Sequence, residues 1–234
     1  MMRLWLSVML LAPLLVACSS DSYTTGDGRY SYMSADFAEG HCATAGTIDR
    51  VLTDEGATLQ LAPVLAAKWA AVPDSAYRLL LYYDCQEGAA TVRPRQAVQV
   101  PVLAPLYTLR PDTLRTDPLT LESAWVSTSG RYLNLRLALK TGTQDGVMGR
   151  QTIGVRCDTT ATATGHRYTY TLIHSQNDVP QYYTATAFAS IPLTDNGPHD
   201  EVLLRVNTYQ GQTERQFRPG APLSALACQK CEDA

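Results

Sequence analysis

The sequence predicts an all-β protein, with an OB-like small barrel in its N-terminal half and an antiparallel, immunoglobulin-like β-sandwich in its C-terminal half. Three observations carry this. Tyr is abundant, at 13, against 3 Phe, and Val and Thr recur in runs; aromatic and β-branched side chains suit a pleated, half-buried surface. Leu133, Leu135, Leu137 and Leu139 alternate with Tyr132, Asn134, Arg136 and Lys140, the period of a strand with one face in a core and one in water. Turn-forming pairs punctuate the chain at short intervals, Asp145-Gly146 and Asn196-Gly197 among them, as short paired strands require.

Before the folded part lies an address. Arg3 precedes an apolar run over residues 4–17, broken by Ser7 and Pro13. As a helix it would reach about 20 Å, short of the roughly 30 Å of a bilayer core. It therefore reads as a signal peptide over residues 1–17 rather than a permanent span. Leu15-Val16-Ala17-Cys18 closes the run and resembles the lipobox of bacterial lipoproteins. That resemblance implies cleavage before Cys18, lipidation of its thiol and acylation of the new amine. Several acyl chains, at about 0.8 kcal/mol per buried CH2, hold a protein firmly on a membrane. The expected location is the cell envelope, lipid-anchored at the outer membrane, with the membrane as one partner; which side it faces stays open, since Asp21 is a single carboxylate.

Residues 18–29 are the lipidated Cys and a small, polar segment with two glycines, too poor in apolar residues to offset the entropy of ordering. The first domain is expected over residues 30–112, with strands at 30–37, 43–52, 57–61, 76–84 and 97–103. Thr53-Asp54-Glu55-Gly56 has the composition of a hairpin loop. Tyr77-Arg78-Leu79-Leu80-Leu81-Tyr82-Tyr83 is nearly all apolar, as in a strand covered on both faces. Ala-rich residues 63–72 are expected to form a short helix. Five strands and one helix in about 80 residues suit a barrel of the OB type.

Two prolines and charged residues over 110–118 mark a linker. The second domain is expected over residues 113–223, with strands at 119–127, 133–140, 151–157, 166–174, 181–191, 201–209 and 213–217, a number that fits a sandwich. Residues 224–234 form a tail ending in Cys228-Gln229-Lys230-Cys231.

The order of these features resembles the NigD-like lipoproteins of Gram-negative anaerobes. The resemblance rests on the lipobox, Asp36-Phe37, Thr53-Asp54-Glu55-Gly56-Ala57-Thr58-Leu59, the Trp69 segment and Tyr77–Tyr83. It continues through Asp117-Pro118-Leu119, Ala124-Trp125-Val126 and Tyr132-Leu133-Asn134-Leu135. It spans residues 30–209 and implies an OB-like domain followed by a β-sandwich. It brings no catalytic residues, and the terminal Cys pair lies outside it.

Charge and motifs limit the function classes. Net charge is −3 with no basic or acidic block, which argues against nucleic acid as a partner. The basic pair Arg93 and Arg95 does not amount to a strand-tracking groove. The chain has no G-x-S-x-G, H-E-x-x-H, Walker or EF-hand pattern. The expectation is a non-catalytic protein with no catalytic residue, cofactor or metal. The histidines are His41, His166, His174 and His199; His166 and His174 stand eight residues apart, too far for one metal along a strand. His174 with Asp178 and a distant Ser makes a formal triad, for which surface loop residues are the plainer reading.

Export permits disulfides. Cys42 and Cys85 are read either as a bridge between the ends of the first and fourth strands or as two buried thiols. Cys157 alternates with Ile153 and Val155 and is expected in a core. Cys228 and Cys231 read as a tail disulfide or two thiols, with thioredoxin-like redox work and half a zinc site as alternatives lacking their usual context. Tyr168, Tyr170, Tyr182 and Tyr183 read as an aromatic platform for glycan or protein, or as cross-strand packing. The leading expectation is a membrane-anchored binding or scaffolding protein with an envelope protein or glycan as partner; a bacteriocin immunity or inhibitor protein is the second, and an envelope hydrolase the third.

Overall fold

The structure is a computed structural model that describes residues 33–84, 89–107, 115–144, 146–193, 196–197 and 199–219. The signal peptide, Cys18, the tether, Cys85 and the tail with Cys228 and Cys231 lie outside the described residues.

Five strands form the first half: β1 (Met33–Cys42), β2 (Thr47–Thr53), β3 (Thr58–Ala66), β4 (Ser75–Asp84) and β5 (Thr91–Gln99). They close into a barrel in the order β1-β2-β3-β5-β4, with β4 returning to β1. Only β3 and β5 pair in parallel, and closure removes every exposed strand edge. Val51, Leu59, Leu61, Leu79, Leu81 and Tyr83 fill the interior with Ile48 and Cys42. At Gly40 the strands come so close that an added Cβ would stand 2.5 Å from Leu79 Cδ2 and 3.0 Å from Ile48 Cγ2.

β1 reaches Cys42 rather than residue 37 and β2 begins at Thr47 rather than residue 43, and two expected elements depart further. The helix over 63–72 does not form; β3 runs on to Ala66, where Thr47 and Ile48 of β2 pair with Ala66 and Leu65. Ladder pairing overrides the Ala propensity, and the register shifts between Ile48 and Arg50, where Pro63 needs no partner for a missing N–H. The last strand lies at Thr91–Gln99 rather than 97–103. Pro94 disfavours a strand there on sequence grounds, but it sits opposite Tyr83 where the β4–β5 register shifts. Both prolines thus lie at bulges, where a proline is tolerated.

The second half contains β6 (Pro105–Leu106), β7 (Thr120–Val126), β8 (Tyr132–Thr141), β9 (Thr143–Gln144), β10 (Val147–Met148) and β11 (Thr152–Ala161). It ends with β12 (His166–Ser175), β13 (Tyr183–Pro192), β14 (Glu201–Thr208) and β15 (Gly211–Phe217). A sheet in the order β13-β8-β7 faces a sheet in the order β15-β14-β12-β11-β6, and β9 and β10 make a small hairpin. Leu121, Leu133, Leu135 and Leu137 meet Val155, Leu172, Leu204 and Val206 in the shared core. All seven strands expected here are present. One departure from an all-antiparallel sandwich is the parallel pairing of β12 with β14. It arises because β13 leaves for the opposite sheet between them.

The chain enters the sandwich earlier than the expected linker. Leu103 already packs in the sandwich core. Its N–H donates to Ser190 O at 2.8 Å, while Ser190 N–H donates to Pro101 O at 2.9 Å. Residues 108–114, where the linker was expected, are outside the description. Among the described residues, barrel and sandwich fall in one compact unit.

Candidate functional site

The densest cluster of polar chemistry among the described residues lies where the barrel meets the outer face of the β13-β8-β7 sheet. Each contributor arrives by a local rule. The Thr53–Gly56 turn holds Asp54 at the barrel rim: Gly56, at φ 91°, donates to Thr53 O at 3.0 Å, a backbone conformation glycine takes without cost. Asp54 N–H donates to Phe37 O on β1 at 2.9 Å. Arg78 alternates with Leu79 on β4, so Leu79 enters the barrel and Arg78 points outward. Asn134 alternates with Leu133 and Leu135 on β8, and Ser190 stands opposite it on β13.

Arg78 and Asp54 form a two-pronged ion pair, Nη1 to Oδ1 at 2.6 Å and Nη2 to Oδ2 at 2.7 Å. Arg78 Nη2 also donates to Asn134 Oδ1 at 3.0 Å, and Nε to Ser190 Oγ at 3.2 Å. Asn134 Nδ2 donates to Asp54 Oδ2 at 2.9 Å, and Ser190 Oγ donates to Asn134 Oδ1 at 2.8 Å. Arg78 is 4% exposed, Asp54 9%, and Asn134 and Ser190 are fully buried. Buried charge is tolerable in this form because each group is paired and hydrogen-bonded.

Aromatic groups surround the pair. The Arg78 guanidinium lies 4.1 Å from the Tyr132 ring centre and 5.4 Å from that of Phe37. Phe37 meets Trp125 and Phe188 edge-on, at 5.4 and 5.7 Å. A second bridge joins the halves at the rim, where Glu39 accepts from Arg131 at 2.7 Å and from the Tyr132 hydroxyl at 2.5 Å. Burial pushes the Tyr132 hydroxyl up to about 12, helped by its bond to Glu39 and that carboxylate's charge, so Tyr132 stays a donor at any physiological pH. With its edges turned to protein groups, this cluster is chemically a weld. The sequence reading placed Tyr132 and Asn134 on a wet face; the barrel covers that face here, while Arg136 and Lys140 further along β8 are exposed.

The other singled-out residues are dispersed. Cys42 is a free, buried thiol, donating to Thr44 O at 3.2 Å and Ala70 O at 3.3 Å. β1 and β4 are neighbours as the bridge to Cys85 required, but they run antiparallel. Cys42 therefore stands opposite Ser75, and Asp84, which precedes Cys85, stands opposite Met33. Cys85 itself, and with it the bridge to Cys42, lies outside the described residues. Cys157 lies in the sandwich core.

Among the described residues no group of three or more His, Cys, Asp or Glu is placed to hold a metal. His174 is buried, with Nδ1 3.0 Å from Asp117 O and Nε2 2.8 Å from Gln151 Oε1; it fastens the chain entering the sandwich, and the formal triad with Asp178 does not assemble. His41 bonds Asp49 at 2.8 Å. Burial alone would raise the Asp49 carboxyl, but that bond and the neighbouring charges hold it below its ordinary value. His166 sits 3.8 Å from Asp200. Backbone N–H groups of Gly197 and His166 bind the Asp200 carboxylate and depress its pKa.

The four tyrosines divide. Tyr170 is in the core with its hydroxyl on Asn196 at 3.0 Å, and Tyr168 packs against the same core; Tyr182 and Tyr183 are exposed. They form no common platform. Arg95 of the basic pair is neutralised by Asp84 at 2.7 Å. The welding residues themselves escaped the sequence reading as a site, although Phe37, Asp54, Arg78, Trp125, Tyr132 and Asn134 all lie in the motifs that carried the resemblance.

No family model matches this chain, and no curated protein does. Solved structures do. A NigD-like immunity protein from Bacteroides caccae superposes with a TM-score of 0.60 at 21% identity, over 80% of this chain and 97% of that one. A candidate toxin-related protein from Parabacteroides distasonis gives 0.62 at 14% identity, over 81% and 94%. A candidate lipoprotein from Bacteroides fragilis gives 0.52 at 11% identity, over 83% and 99%. The chain therefore shares the complete barrel-and-sandwich fold of a NigD-like immunity protein.

Proposed function

We propose that this chain is a lipid-anchored cell-envelope protein with a non-catalytic binding or scaffolding role, held at the outer membrane through Cys18. The observation that carries this reading is the weld: the cluster most like a reactive centre turns its donors and acceptors on one another and joins two β modules into one body. Such a body presents loops and sheet faces in fixed relation, which is what a recognition platform needs. The likeness to a candidate lipoprotein and the Leu15–Cys18 pattern support the anchor. Fold alone does not assign a ligand.

The anchor is tested by Cys18→Ala. The expected result is loss of membrane partitioning, or retention of residues 1–17, when the envelope is fractionated. A Cys18→Ala chain that is processed and still pellets with membranes contradicts the proposal. The binding role is tested by crosslinking in the intact envelope, with a discrete partner band expected and its absence contradicting the reading. A second reading, immunity against or inhibition of a secreted toxin, is favoured by the name of the B. caccae neighbour. Deleting the gene should then raise sensitivity to neighbouring strains' bacteriocins, and unchanged sensitivity removes it.

A further inference from the structure

The outer face of the β15-β14-β12-β11 sheet carries a cleft of about 350 Å³ lined by Thr116, Arg156, Thr171, Arg205, Asn207 and Gln212. Its floor is one cross-strand row: Arg156 on β11 stands opposite Thr171 on β12, which stands opposite Arg205 on β14. With strands about 4.8 Å apart, the two arginine backbones are roughly 10 Å apart with a hydroxyl between them. Such a row is unusual for a sheet face, because neighbouring guanidinium groups repel unless something negative lies among them.

Two carboxylates stand at the flanks and leave the middle unserved. Arg156 Nη2 pairs with Asp158, and Arg205 Nε with Glu214 Oε1 at 2.7 Å. Both acidic side chains are about half exposed, at 48% and 46%, so water screens them. Arg156 is only 9% exposed. Among the described residues, its Nε and the Thr171 hydroxyl oxygen are buried and have no hydrogen-bond partner. Leaving such groups unpaired costs about 1–3 kcal/mol each, and an orphan of this kind points to a missing water, ion or ligand. The second cleft, of about 560 Å³ beside Asp117 and the 176–181 turn, differs in this respect. There Asp117 Oδ2 accepts from Gln176 N–H, and Gln176 Nε2 donates to Lys140 O and Val179 O.

We propose that the Arg156–Thr171–Arg205 row binds a carboxylate group carried on a small, hydrogen-bonding molecule. Both atoms are covered as the side chains stand, so binding turns the two side chains toward the cleft: one carboxylate oxygen then accepts from Arg156 Nε–H and the other from the Thr171 hydroxyl, with Arg205 supplying the second positive charge. The neutral rim fits the remainder of such a molecule: Gln212 and Asn207 offer amide groups, and Asn207 Nδ2 is already fixed on Thr116 O at 2.6 Å, leaving its Oδ1 to accept from a ligand hydroxyl or amide. A cleft of this volume falls in the ordinary range for small-molecule sites. The carboxylate can come from an acidic sugar or from a peptide C-terminus, since both pair that group with hydrogen-bonding neighbours. This inference deepens the binding role proposed above and rests on it.

Calorimetric titration of the full mature chain in detergent tests it, with D-galacturonate and N-acetyl-glycylglycine as probes and D-galactose and N-acetyl-glycylglycinamide as their uncharged twins. Saturable binding of at least one carboxylate is expected, with its twin at least about tenfold weaker. Which probe binds identifies the source. Thr171→Val, nearly isosteric, and Arg156→Gln should each weaken that binding about tenfold or more. The proposal is overturned if neither carboxylate saturates, if a twin binds equally well, or if Thr171→Val and Arg156→Gln bind like the parent. A partner captured by crosslinking alongside a silent titration would overturn this site and leave the binding role standing.

Discussion

Arg78→Ala should destabilise the chain by about 3–5 kcal/mol, the cost of removing one partner from a buried ion pair. The guanidinium is 4% exposed and serves three residues at once, Asp54, Asn134 and Ser190. Its loss leaves a desolvated carboxylate with Asn134 Nδ2 as its remaining side-chain donor in the cluster, and also removes a cation from the faces of Tyr132 and Phe37. Urea unfolding gives the measure, read from the shift in midpoint at unchanged slope. Arg78→Met combined with Asp54→Asn should cost less than the two changes summed, because the second removes the charge the first would orphan. Arg95→Ala is the contrast. Its pairing with Asp84 is partly exposed, and exposed pairs contribute at most about 1 kcal/mol. A cost below that figure for Arg78→Ala would show that the seam is incidental packing.

Leu135→Ala should cost about 2–5 kcal/mol, the range for emptying a packed leucine site. Leu135 is fully buried between the two sheets of the sandwich. Its neighbours on β8 face the seam, with Asn134 in the polar cluster and Tyr132 against Arg78. Collapse of the strand to fill the void would drag Asn134 from Arg78 and Asp54, so the cavity should relax poorly and the cost should lie in the upper part of the range. Denaturant titration checks this, and a loss under about 1.5 kcal/mol would mean that β8 moves independently of the barrel.

Local pattern made much of this architecture readable. Leu133, Leu135 and Leu137 announced their own core, and the apolar run around Leu79–Leu81 announced a strand covered on both sides. What failed depended on neighbours far away in the chain. Asn134 looked wet because its covering partners, Asp54 and Arg78, lie 80 and 56 residues earlier. The Ala-rich stretch after Pro63 looked helical because no local signal reveals that β2 waits to pair with it. The cleft at Arg156 was invisible for the same reason: Arg205 joins the row with Arg156 and Thr171 only through the parallel pairing of β12 and β14, which sequence period does not encode.

The central claim is that barrel and sandwich are one cooperative body welded through Arg78 and Asp54. In a variant begun at residue 18, Trp69 and Trp125 are the two tryptophans. Trp69 packs against the barrel core, and Trp125 belongs to a sandwich strand. Equilibrium unfolding of Trp125→Phe followed by Trp69 fluorescence reports the barrel, and of Trp69→Phe followed by Trp125 fluorescence reports the sandwich strand at the seam, where Trp125 meets Phe37. Each curve is to be referenced to circular dichroism of the same variant. The weld predicts that fluorescence and circular dichroism coincide in both variants, and that adding Arg78→Ala separates the Trp69 and Trp125 transitions. Transitions already separate with Arg78 in place would contradict it.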